Sequence, residues 1–127
     1  MSKTADQLSP EELEHFRKAL IKRVKEKNGE LAKRYSKAKE IAEKIAQELY
    51  NNFDAKEVIL FGSAAKGEYF NKWSDIDLAA VGIPDHRFYA AVAFVTGYSD
   101  EFKIDLVDPD ECSSGMKKSI FEEGIRL

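Results

Sequence analysis

Three aspartates and one glycine–serine step carry most of the chemistry this chain could perform. Asp75 and Asp77 flank Ile76 in residues 74–81 (SDIDLAAV), whose alternation passing into an apolar end predicts a β-strand. On a strand, both carboxylates fall on one face with Cα atoms about 6.5–7 Å apart, and Ile76 and Leu78 turn to the core. Side-by-side acids repel, and burying them is costly unless a cation or hydrogen-bond donors compensate. Hard carboxylate oxygens suit Mg²⁺, which commonly keeps one or two carboxylates and substrate phosphates as ligands. An isolated D-x-D more often does no more than solvate a strand end. Asp105 changes that balance, because it stands between Ile104 and Leu106 in another apolar run, residues 102–107. If the two strands are neighbours, three carboxylates converge, enough for two metal ions in the manner of phosphoryl-transfer sites.

Upstream, Val58-Ile59-Leu60-Phe61 reads as a buried strand stopped by Gly62. Gly62-Ser63 then opens a possible helical turn, whose free N–H groups and hydroxyl suit phosphate oxygens. Lys66 adds a positive charge nearby. The spacing Gly62-(x)₄-Gly67 imitates a P-loop, but Glu68 stands where its lysine belongs and no Ser/Thr follows. An aspartyl-nucleophile phosphatase also uses D-x-D after a strand, yet it leaves the Gly62-Ser63 step without a role.

These residues need elements to hold them. Ser9-Pro10-Glu11-Glu12 reads as a helix start, with Ser9 as N-cap and Glu12 closing a capping box. Leu13, Phe16, Leu20 and Val24 recur at helical spacing. Asn28-Gly29 punctuates that pattern, which resumes with Leu31, Tyr35, Ala38, Ala42, Ile45 and Leu49 to about Asn52. Whether the punctuation is a hairpin or a bend stays open. Both stripes must be covered, by the chain's own sheet or by a partner or second copy. A third helix is expected from Pro84-Asp85 to about Val95, and a last one within residues 114–123, stopping at Gly124. The expected fold is α/β (α+β): a small mixed sheet of three or more strands with packed helices. Residues 1–53 are expected as a helical extension and 54–127 as the core.

Composition narrows the function classes. At 127 residues, 43% of them hydrophobic, one domain with a real core is expected. No run approaches the ~20 apolar residues of a membrane span, and residues 1–16 lack a signal-peptide core. Cys112 is the single cysteine, fitting a reducing cytoplasm; with His15 and His86 it makes no zinc pattern of recognised spacing. The net charge of -3 divides unevenly: residues 1–53 hold 12 Lys+Arg against 9 Asp+Glu, residues 54–127 hold 8 against 14. An acidic balance argues against a stand-alone nucleic-acid binder. The basic stretch 22–39 reads first as a solvated helix face.

The segment VILFGSAAKGEYFNKWSDIDLAAVG, with the later KIDLVD, resembles the polymerase-beta-like nucleotidyltransferases, most of all their minimal (MNT) branch. The resemblance covers residues 57–127 and rests on G-S-x-x-x-G, S-D-x-D-L and a third strand acid in combination. It implies transfer of a nucleoside monophosphate, AMP above all, from an NTP to a hydroxyl. Gly62 and Ser63 would hold the triphosphate, Asp75 and Asp77 Mg²⁺, and Asp105 would complete the metal site and ready the hydroxyl. Relatives often carry arginine at the positions of Ala64 and Lys66. MNT proteins are often paired with a HEPN ribonuclease toxin and act as its antitoxin, by binding it or by adenylylating it. A non-catalytic module that masks such a partner is the competing reading. A drug-modifying transferase is disfavoured, because no second domain is available to bind the drug.

Overall fold

The computed structural model describes residues 8–67 and 70–127. Two compact units are distinguished, residues 1–33 and 34–127. Helix α1 (Pro10–Asn52) begins where the capping signal placed it: Ser9 Oγ accepts the Glu12 N–H at 3.2 Å. The break expected at Asn28-Gly29 is absent. Glycine inside a helix costs only about 1 kcal/mol relative to alanine, and the Lys-, Glu- and Ala-rich residues around it are good helix formers. The helix therefore runs through, and the two helices expected here are one of 43 residues.

The sheet has four strands: β1 (Glu57–Phe61), β2 (Ile76–Val81), β3 (Ile104–Val107) and β4 (Ile125–Arg126), in the order β3-β2-β1-β4. β1 pairs antiparallel with β2 and with β4, whereas β2 and β3 run parallel. A parallel pair needs a crossover, here helix α3 (Asp85–Thr96), which packs along β3. A single helical turn, α2 (Ser63–Lys66), follows β1, and helix α4 (Ser114–Glu123) precedes β4. β4, too short to show any periodicity, was not expected. The expected mixed α/β fold is the one found.

Both faces of the sheet are buried. On one face Ile59, Ala79 and the α4 residue Ile120 form a cluster, with Phe61, Val107, Cys112 and Phe121 against it. Alternation sends Val58, Leu60, Ile76, Leu78, Ile104 and Leu106 to the other face, all buried. Ala38, Ala42, Ile45, Ala46 and Leu49 of α1, with Ala91 and Val95 of α3, complete the interior. The second expected stripe is thus covered for most of its length. The first is not: Leu13, Phe16, Leu20, Ile21 and Val24 are 42–57% exposed. Among the described residues no helix is long and apolar enough to cross a membrane.

The joint between α4 and β4 is the tightest in the core. A Cβ on Gly124 would run into the Ile120 carbonyl and Ile59 Cγ2, and backbone atoms cannot step aside as a flexible side chain can. Gly124→Ala is expected to lower stability by about 1–3 kcal/mol, the usual cost of overpacking. Urea unfolding followed by circular dichroism measures it, and an unchanged midpoint contradicts this packing.

Candidate functional site

Strand register assembles the site. Phe61 is the Cα partner of Asp77 across the antiparallel pair, and Asp105 is the partner of Asp77 across the parallel one. The C-terminal end of β1 and the N-terminal ends of β2 and β3 therefore share one edge of the sheet. Asp77 and Asp105, in register on adjacent strands spaced about 4.8 Å, stand side by side on one face. Asp75 was expected inside the strand; β2 begins one residue later, at Ile76. The Ile76 N–H donates to the Lys103 carbonyl at 3.0 Å, so Asp75 is fixed where the ladder starts rather than within it.

Gly62 closes the arrangement from the β1 side. Its backbone, at φ 73° and ψ -155°, lies in territory open essentially to glycine alone. A Cβ there would stand 2.6 Å from Asp77 Oδ2, so the turn and the carboxylate touch backbone to side chain. Ser63 starts α2 directly afterwards, and the first N–H groups of such a turn have no partner within it. Ala64 is completely buried here and serves packing.

Electrostatically the carboxylates repel one another more than any neighbour relieves them. Among the described residues Asp75, Asp77 and Asp105 make no hydrogen bond or ion pair. Burial raises the Asp77 pKa above the ordinary carboxylate value, the charges of Asp105 and then Asp75 raise it further, and Lys103 pulls it down. Clustered hard anionic oxygens are the donor set a divalent ion satisfies, and in that sense the residues fit one. The expected two-metal cage is not preformed, however. Among the described residues no three carboxylate, imidazole or thiol groups lie close enough to hold an ion.

A cavity of about 390 Å³ adjoins the turn, lined by Phe61, Gly62, Ser63 and Lys66 and, from α4, by Met116, Ser119 and Glu123. The Lys66 ammonium is already engaged, 2.9 Å from Glu123 Oε2. Hydrogen bonds from Lys66 and then Ser119 hold the Glu123 carboxyl below its ordinary pKa. Lys66 thus faces the cavity with an acidic partner that the sequence gave no reason to expect. A larger cavity, about 550 Å³, lies by α3 and the end of β3. Asp85, Asp108 and Glu111 line it, so its charge disfavours a phosphate.

Residues from outside the motifs hold the loop that delivers Asp75. Arg34 Nη2 donates to the Ser74 carbonyl at 3.2 Å, and its guanidinium stacks 4.2 Å from the Phe102 ring centroid. The Tyr35 and Phe70 rings meet edge to face at 5.3 Å. Within the loop the Asn71 N–H donates to Ser74 Oγ and the Trp73 N–H to Asn71 Oδ1, both at 2.8 Å. Sequence reasoning missed Arg34 and Tyr35, whose partners lie some 35–70 positions away, and only their place on the inward stripe of α1 marks them.

Comparison with known proteins agrees with this geometry. The family model "Polymerase beta, Nucleotidyltransferase" matches residues 43–127. No curated protein matches the chain significantly. A toxin–antitoxin crystallised with AMP-PNP superposes at TM-score 0.53 with 24% identity, over 67% of this chain and 70% of that one. A mutant of the MntA-HpeT toxin–antitoxin gives 0.53 and 25%, over 67% and 69%. A candidate nucleotidyltransferase from Sulfolobus solfataricus gives 0.52 and 24%, over 76% and 84%.

The raised Asp77 pKa has a consequence for stability. An acid whose pKa is higher folded than unfolded favours the folded state below the unfolded value and loses that contribution as pH rises through the folded one. At neutral pH the charged Asp77 therefore opposes folding. Asp77→Asn is expected to raise the melting temperature at pH 7 by a few degrees, modest because the half-exposed group is screened by solvent. The gain should shrink as pH falls toward the ordinary carboxylate range and be gone below about 4. Thermal melts of both proteins across pH 3–8 without divalent metal decide it; a variant less stable than wild type at pH 7 refutes the repulsion.

Proposed function

Because this chain belongs to the polymerase-beta nucleotidyltransferase family, we propose that it moves a nucleoside monophosphate, AMP in this reading, from an NTP to a hydroxyl on a partner protein. The observation that carries the proposal is the shared sheet edge: a glycine turn in contact with Asp77, and Asp105 in register beside it. Phosphate recognition and acid chemistry meet nowhere else among the described residues. The biological setting proposed is that of an antitoxin of the MNT type acting on a HEPN-type toxin. Its support is the likeness to toxin–antitoxin structures, one of them crystallised with AMP-PNP.

In this mechanism the Gly62-Ser63 turn binds the β and γ phosphates through backbone N–H groups and the Ser63 hydroxyl. Lys66 adds a point charge once Glu123 yields it. The acceptor oxygen attacks the α-phosphorus, the bond to the bridging oxygen of the β-phosphate breaks, and pyrophosphate leaves. Asp105 accepts the proton of the attacking hydroxyl. Asp75, Asp77 and Asp105 would hold Mg²⁺, which when bound neutralises the charge gathering on the phosphates. Asp77, pressed between Gly62 and Asp105, fixes the distance between triphosphate and proton acceptor.

A second reading has its own observation. The Lys66–Glu123 pair, which engages a cation lining the cavity beside Gly62, favours a protein that masks its partner without turnover. The two readings separate on Asp105→Asn. Co-expression with the neighbouring gene's product, followed by intact-mass measurement of that product, should reveal added nucleotidyl groups with wild type and none with the variant. An unmodified product that both proteins neutralise fully establishes the mask instead.

The phosphate assignment is tested by itself. Ser63→Ala should weaken ATP binding about tenfold, the value of a hydrogen bond to a charged group. AMP binding should hardly change. Calorimetry with both nucleotides in Mg²⁺ measures the pair, and equal losses would move Ser63 away from the outer phosphates.

A further inference from the structure

The exposed stripe at the start of α1 belongs to no part of the site. Leu13, Phe16, Leu20, Ile21 and Val24 lie within about 140° of one helix face at 100° per residue, a sector that also holds Arg17, whose Nη1 lies 3.8 Å from Glu14 Oε2. Each is 42–57% exposed, and five large apolar side chains on one exposed face mark an interaction surface. Charge along this segment is polarised. Glu11, Glu12 and Glu14 occupy its first turns, Arg17 and Lys18 stand midway, and Lys22, Arg23, Lys25 and Lys27 follow with Glu26 as the one acid among them.

We infer that this face pairs antiparallel with the same face of a second copy of the chain. The polarity selects both partner and direction. A parallel pair would set acidic end on acidic end and basic end on basic end. In the antiparallel pair a two-fold axis near residues 18 and 19 places Leu13 opposite Val24 of the second copy. The same axis brings like flanks together, so Glu14 meets Lys25 on one side and Glu12 meets Arg23 on the other. Phe16, Leu20 and Ile21 fill the middle. Residues 10–27 span about 27 Å of helix, so the contact falls short of the ~800 Å² per partner of a standard stable interface. The dimer is therefore expected to be micromolar rather than permanent, and salt-sensitive at its flanks.

Sedimentation equilibrium of the full chain measures the association. Wild type at about 100 µM in low salt should sediment near twice its 14.4 kDa and dissociate on dilution. Phe16→Glu with Leu20→Glu should give a monomer with unchanged helicity, since both positions are exposed. Register is tested by charge. Glu12→Arg with Glu14→Lys should weaken self-association at least tenfold, and adding Arg23→Glu with Lys25→Glu should restore it. A wild-type monomer up to 200 µM, a dimer indifferent to Phe16→Glu/Leu20→Glu, or a four-fold charge exchange that fails to restore pairing each overturns the proposal.

Discussion

The site depends on one close approach, the backbone of Gly62 against the carboxylate of Asp77. The β1–β2 register puts Phe61 opposite Asp77, so the next residue of β1 has to pass the acid. Only a residue without a side chain can pass, and only glycine accepts the backbone angles that the turn requires. A Cβ at this position would stand 2.6 Å from Asp77 Oδ2, closer than non-bonded atoms approach, so any other residue would push the turn and the acid apart. The hydroxyl of Ser63, the α2 turn and the cavity beside it all take their position from that contact.

The rest of the core compensates for what this edge costs. Three acids at strand starts repel, and Asp77 feels burial most. The face that bears them turns apolar within two residues, at Ala79, Ile59 and Ile120, while the opposite face is apolar throughout. Helices cover both faces, as a short sheet with a charged edge requires. The acids can be tolerated because the strands beneath them are anchored by everything except the acids.

How much of this could be read beforehand follows from the range of each interaction. Asp75, Asp77 and Asp105 were legible because a charge between aliphatic neighbours is conspicuous, and alternation states which face it takes. Gly62 was legible as a turn, whereas its contact with Asp77 depends on pairing register, which no local pattern encodes. Gly29 misled because local punctuation outweighed the many good helix formers around it. β4 has two residues and no period. Lys66 suggested a phosphate contact, but its pairing with Glu123 spans 57 positions and appears only once α4 is in place. Arg34 and Tyr35 looked like ordinary members of a helix.

Arg34 also bears on how such a chain can change its sequence. Its guanidinium is shared between the carbonyl of Ser74, just ahead of one acidic strand, and the ring of Phe102, just ahead of the other. Lysine keeps the charge but loses the flat surface that the ring stacks on. A leucine at 102 would keep the burial but lose the stacking. Substitutions at 34 and 102 are therefore coupled, each altering what the other can accept. The loop between Gly67 and Ser74 answers to Arg34 and Tyr35 of α1, because the Arg34 guanidinium also lies 5.8 Å from the Phe70 ring centroid and Phe70 packs on Tyr35. A change at 34 therefore reaches both the loop and the strand behind it, so the arginine and its aromatic neighbours should change only together.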